Sequence, residues 1–161
     1  MAAAKQPERA DVPISPCYGT ALRRASRRVA QLYDGAIAGS GLRSTQFSIL
    51  AELQARSGTP PSLAELAEVL VLDRSALGHN LRPLERDGYV AIVEGESDRR
   101  VRRITLTDKG VRKYREAREL WKQAQKRFAA VIGEADAADL RNRLLRLAYD
   151  ERLTVAPPPC D

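Results

Sequence analysis

Residues that carry metal, redox and covalent chemistry are scarce in this chain. Its 161 residues include two cysteines and one histidine. Cys17 and Cys160 stand at opposite ends, so no disulfide framework is expected and a reducing cytosol is the default compartment. One histidine and two cysteines cannot complete a four-ligand zinc site by themselves, and neither metal nor cofactor is expected. There is no Gly-rich phosphate loop, no GxSxG elbow and no HExxH pair. The single histidine, His79, has no carboxylate at short spacing, so an enzyme finds little support. No run of about 18 apolar residues is present to span a membrane. The first ten residues lack the apolar core of a secretion signal. Aromatics are few, at 5%, yet 43% of residues are hydrophobic, enough for a folded core and too many for a disordered chain.

What the chain does have is positive charge, unevenly placed. The net charge is +6, but the stretch from Arg99 to Arg118 alone holds nine Lys and Arg against two acids, a local +7. Arg23, Arg24, Arg27 and Arg28 form a second knot. Arginine suits phosphate because its guanidinium is always charged and donates in a planar fork. A solvated helix face is the plainer reading for Arg112–Arg118. It fits Arg99–Arg103 less well, because that run falls inside an expected hairpin.

Three prolines and little apolar periodicity mark residues 1–16 as a flexible arm, and Pro157-Pro158-Pro159 sits in a tail expected to be disordered. Leu22, Ala25, Val29, Leu32 and Ala36 recur at helical spacing, and Gly39-Ser40-Gly41 ends that helix. Ser44 or Thr45 opens a short helix that is apolar on most sides and therefore buried. Ser62-Leu-Ala-Glu65 has the spacing of a capping box, and Val71-Leu72 makes a tight connection to a helix capped by Asp73 or Ser75. In that helix Leu77, Leu81 and Leu84 form one stripe, and Ser75, His79, Arg82 and Arg86 form the opposite one. Tyr89–Glu94 and Val101–Leu106 read as strands joined by a polar turn. Thr107 caps a long helix carrying Tyr114, Ala117, Trp121, Ala124, Phe128 and Val131, and a last helix runs to about Arg152. The fold class is mainly α with a small β-hairpin wing: a winged helix-turn-helix flanked by N- and C-terminal helices.

The B-DNA major groove is about 12 Å wide and admits one α-helix, whose N-terminal residues reach base edges in helix-turn-helix proteins. Leucines would anchor the Arg74–Arg86 helix while Ser75, Ala76, His79 and Asn80 point outward or sideways near its first turns, Arg82 and Arg86 are better placed for phosphate, and Arg74 at its start is a further DNA-binding candidate. The plainer reading of His79 is an ordinary exposed or core histidine. Pro83 should bend this helix, and Gly78 is a poor helix former that puts no side chain on the DNA. A turn holding Asp98, Arg99 and Arg100 can project an arginine into a flanking minor groove, with Asp98 holding Arg100 or a neighbouring arginine in place.

The stretch Leu72-Asp-Arg-Ser-Ala-Leu-Gly-His-Asn-Leu-Arg-Pro-Leu-Glu-Arg-Asp-Gly-Tyr-Val90, followed by Asp98-Arg99-Arg100 and Leu106-Thr-Asp-Lys-Gly110, resembles the MarR family of bacterial winged-helix transcription regulators. The likeness runs from about Cys17 to Arg152. It implies a homodimer on a pseudo-palindromic duplex operator, acting as a repressor that a small molecule releases. The parts implied are an N-terminal dimerisation helix over 17–41, a DNA-binding winged helix-turn-helix over 42–107 and C-terminal dimerisation helices over 108–153. Where many relatives have Thr-Arg, this chain has Gly78-His79, so base preference does not carry over. Family effectors commonly sit between the dimer helices and the winged domain. Here Tyr18, Arg23, Tyr33 and Trp121 could hold an aromatic carboxylate or an aryl thioester. Some relatives sense peroxide through a first-helix cysteine; Cys17 lies two residues from that position, and a buried or inert thiol is the plainer expectation. A non-specific architectural DNA-binding protein is the remaining alternative.

Overall fold

The computed structural model describes residues 16–94 and 101–153. Residues 1–15 of the arm expected over 1–16, the wing tip with Asp98, Arg99 and Arg100, and the tail over 154–161 lie outside the described residues. Among the described residues six helices and one hairpin follow in order: α1 (Tyr18–Ile37), α2 (Ser44–Ala55), α3 (Leu63–Val69), α4 (Arg74–Arg86), β1 (Val90–Glu94), β2 (Arg102–Leu106), α5 (Asp108–Ile132) and α6 (Glu134–Ala148). Short 3-10 turns occupy Ala38–Ser40 and Glu151–Leu153. This is the expected mainly helical fold with a two-stranded wing.

α2 lies in the middle because it is apolar around its circumference: Phe47, Ile49, Leu50 and Leu53 are all buried. Its N-terminal amides are satisfied from two sides. Ser44 donates its backbone N–H to the Asp34 carboxylate of α1 at 2.6 Å, and Arg43 donates its own to the Gln46 side chain at 3.0 Å. Phe47 stacks with Tyr114 and Trp121 of α5, with ring centroids 5.7 and 5.8 Å away. Such pairs add about 0.5–1.5 kcal/mol beyond their buried area. Leu66 of α3, Leu77, Leu81 and Leu84 of α4, Val90 of β1 and Ile104 of β2 close the core from below.

The hairpin is antiparallel, with Val90 opposite Leu106 and Glu94 opposite Arg102. It joins α5 at a close approach between backbones. A β-carbon on Gly110 would stand 1.9 Å from the Tyr89 carbonyl oxygen, so only glycine fits. Thr107 completes the junction: its hydroxyl accepts from the Gly110 amide at 3.0 Å and donates to the Gly88 carbonyl at 2.7 Å.

α6 is shorter than the periodicity suggested. It ends at Ala148 with Tyr149 as its cap, and the Asp150 carboxylate accepts from the Arg152 amide at 3.1 Å, turning the chain away. The outer half of α1 and all of α6 are left uncovered. Leu22, Leu140, Leu144, Leu145 and Leu147 are each about 40–50% exposed, and Val131 is 79% exposed.

Candidate nucleic-acid interface

α3 starts at the capping box read from the sequence. Ser62 accepts from the Glu65 amide at 3.3 Å, and Glu65 accepts from the Ser62 amide at 2.6 Å. It ends in a Schellman motif, with Leu72 N–H donating to the Ala67 carbonyl and Val71 N–H to that of Glu68. The residue that turns the chain there is Val71, at φ 50°, where glycine is usual. Asp73 then caps α4 by accepting from the Ala76 amide at 2.7 Å.

The division of α4 is that of its sequence. Leu77, Leu81 and Leu84 are buried, while Arg74, Ser75, His79, Arg82 and Arg86 are exposed. From Ser75 to Arg86 the outward stripe extends about 16 Å at helical rise. Ala76 and Asn80 are half-buried at its flank, and the Asn80 amide donates to the Ala76 carbonyl at 2.8 Å. That leaves Asn80 its amide oxygen for another partner. Pro83 stands inside the helix without ending it. Having no N–H, it leaves the carbonyl of His79 without a helical donor. Arg86 is clasped by Asp87 through two contacts, at 2.9 and 3.4 Å. The pairing raises the Arg86 pKa and lowers that of Asp87. His79 and Arg82 have no side-chain partner among the described residues, so their donors face outward unpaired.

β2 carries two more arginines with different fates. Arg102 is exposed opposite Glu94. Arg103 turns inward: its guanidinium donates to Glu65 at 2.6 Å and to the Pro60 carbonyl at 3.4 Å. Hydrogen bonds from Ser62, backbone first and side chain second, hold the Glu65 carboxyl below the usual range, and the Arg103 charge adds to this. Sequence reasoning grouped Arg103 with the phosphate-seeking run and missed its partner 38 residues away.

A cleft of about 660 Å³ opens between α1, α2, α5 and α6. Ala25, Tyr33, Phe47, Trp121, Leu140 and Leu144 are among its lining. Partial burial raises the Tyr33 phenol pKa. Of the four expected ligand-holding residues the cleft unites Tyr33 and Trp121. Tyr18, 89% exposed, and Arg23 do not line it. Cys17 is the N-cap of α1 and is exposed, so of the expectation of a buried or inert thiol the burial does not hold. Hydrogen bonds with Thr20, its side chain first and its backbone next, lower the thiol pKa.

The MarR family model matches residues 40–101, from the 3-10 turn after α1 to the residue before β2. The M. tuberculosis transcriptional regulator MosR, solved in complex with DNA, is 34% identical at a TM-score of 0.73, the alignment covering 84% of this chain and 96% of that one. The transcriptional repressor CouR, solved bound to a 23-mer DNA duplex, is 30% identical at a TM-score of 0.73, covering 82% and 92%. The transcriptional activatory protein BadR of Rhodopseudomonas palustris is 34% identical over 101 residues, 62% of this chain. This chain spans about half the length of that curated relative, 54%. A leucine-backed helix after a tight turn, a hairpin and a Gly110 junction, found together with near full-length likeness to MosR and CouR, have one explanation: the chain belongs to the MarR family of winged-helix transcription regulators.

Proposed function

We propose that this protein is a homodimeric repressor that places α4 of each copy in successive major grooves of a pseudo-palindromic operator and leaves it when a small molecule enters the cleft. The observation that carries the reading is the outward stripe of α4. Its hydrogen-bonding groups, Ser75 and His79, lie near the N-terminal turns, and unpaired positive charge at Arg82 follows one turn later. Arg74 and Arg86 flank the stripe as phosphate contacts, Ala76 and Asn80 border it, and Arg99 and Arg100, steadied by Asp98, reach the flanking minor groove. MosR and CouR, both solved with DNA, support this use of the fold.

The uncovered leucines of α1 and α6 support pairing of two copies, since a large apolar face on a soluble chain calls for a partner. The cleft lies between those helices and the core. Its aromatic walls suit a flat apolar ligand, an aromatic acid or aryl thioester. Such a ligand would act by favouring a dimer geometry with mis-spaced α4 helices. The protein would work in the cytoplasm, on nucleoid DNA.

Selection of genomic fragments by the purified protein, followed by elution with a panel of metabolites and peroxides, tests the whole reading. A specific operator should survive a large excess of random duplex. Failure to do so would leave only architectural binding. Transcription from the selected promoter then gives the sign of regulation, where CouR is a repressor and BadR an activatory protein. A second reading has one observation behind it, the exposed Cys17 whose pKa Thr20 lowers. Release by peroxide, abolished in Cys17→Ser, would favour thiol sensing over a ligand.

A further inference from the structure

We infer that Arg103 and Glu65 are positioning residues for DNA binding: their ion pair fixes the base of the wing to the start of α3 and so sets where the wing tip meets the duplex. The inference rests on the operator-binding reading above and assigns a role to two residues that touch no DNA in it.

The geometry is that of a clamp at the root of a lever. On β1, Val90 is buried, but Ile92 and Val93 are 38% and 41% exposed, so among the described residues burial falls away from the base of the hairpin outward. On β2, Ile104 is the first buried side chain after the tip. Its amide donates to the Pro61 carbonyl at 2.9 Å, and Ser62 bridges to Arg103 in antiparallel fashion. Pro61 and Ser62 thus pair with β2 through a single isolated bridge beside the hairpin. Arg103 closes the arrangement by donating to Glu65 at 2.6 Å and to Pro60 at 3.4 Å. Only Val101 and Arg102 separate this anchor from Arg100.

Glu65 has two tasks at once, because it also accepts from the Ser62 amide as the capping box of α3. The same carboxylate therefore fixes the start of the helix-turn-helix and the base of the wing. A base held in one place spares binding part of the ordering entropy that otherwise weakens a contact. The pair itself is partly exposed, with side chains 31% and 50% accessible, so its worth to folding is small.

Two ideas about Glu65 predict opposite signs. By net charge alone, Glu65→Gln removes an anion and should tighten binding to DNA. By positioning, it should weaken binding, because glutamine keeps the capping box but loses the charged partner of Arg103. The test uses a duplex recovered by the wild-type protein from a random-sequence pool, with affinity measured at fixed salt and hydroxyl-radical footprints beside it. Glu65→Gln is expected to bind about five- to tenfold more weakly, with flanking minor-groove protection lost, central protection kept and the melting temperature nearly unchanged. Arg103→Gln, which leaves the capping box untouched, should show the same footprint. In an Arg100→Ala background Glu65→Gln should cost nothing further, since the contact it positions is already gone. Equal or tighter binding by Glu65→Gln, or the same loss in the Arg100→Ala background, overturns the inference while leaving operator binding intact. A wild-type protein that retains no duplex overturns both.

Discussion

The backbone carbonyl of Tyr89 stands where the side chain of residue 110 would begin. With an alanine β-carbon 1.9 Å from that oxygen and 2.9 Å from its carbon, β1 and the first turn of α5 cannot both keep their places. The obstacle is backbone, so no rotamer change relieves it. Gly110→Ala gains up to about 1 kcal/mol in helix propensity. Against that, displacing the wing junction and the Thr107 cap should leave a net loss of about 2–4 kcal/mol. Urea unfolding measures it, and a variant within about 0.5 kcal/mol of wild type, the size of an ordinary surface change, would contradict the packing described.

Val71 is the converse case, a side chain where the backbone asks for none. A β-branched residue at φ 50° carries about 1–3 kcal/mol of strain. Its side chain is 57% exposed and so recovers little by packing. Val71→Gly should stabilise the protein by about 0.5–1 kcal/mol after the entropy of glycine in the unfolded chain is subtracted. Thermal melting should show this as a rise of a few degrees, and a fall would mean that Val71 packs in a way the single chain does not show.

Much of the architecture is legible because it is written in local pattern. Leu77, Leu81 and Leu84 fall on one side of a helix at any tertiary arrangement, and Ser62 with Glu65 fixes the start of α3 from four residues. Asp73 and Thr107 cap α4 and α5 for the same reason. What stayed hidden is non-local. Nothing near Arg103 in sequence announces Glu65, and nothing near Tyr149 announces that its hydroxyl donates to the Val69 carbonyl at 2.6 Å, 80 residues away. The exposure of Cys17 is not legible either, because a residue beside a helix start gives no sign of which helices stop short of covering it. The outward face of α4 could be read from the sequence, but the commitment of Asn80 to Ala76 and of Arg86 to Asp87 could not, since both depend on rotamers.

The two kinds of residue on that face should separate in binding assays. His79→Ala removes a donor from the part of α4 expected to read bases. At the selected operator it should cost about 1–3 kcal/mol per half-site and relax preference at one position. Arg82→Ala should weaken binding to all duplexes alike and reduce the salt slope by about one unit for each copy. Competition with single-base operator variants distinguishes the outcomes. A uniform loss for His79→Ala would assign it to phosphate instead.

The cleft can be followed through its own chromophore. Trp121 is the single tryptophan of the chain and it lines the cavity, stacked against Phe47. A flat ligand entering between α1, α5 and α6 must touch that indole or displace a neighbour that does, so its emission should change on binding. The concentration that half-changes the emission should match the concentration that half-releases DNA, once the duplex's own linkage to the ligand is included. Trp121→Phe should lose the optical signal while keeping much of the cavity, and Trp121→Ala should weaken both ligand binding and the α2–α5 packing. If an eluting compound leaves Trp121 emission unchanged over the range in which DNA is released, the ligand binds elsewhere and the cleft has another use.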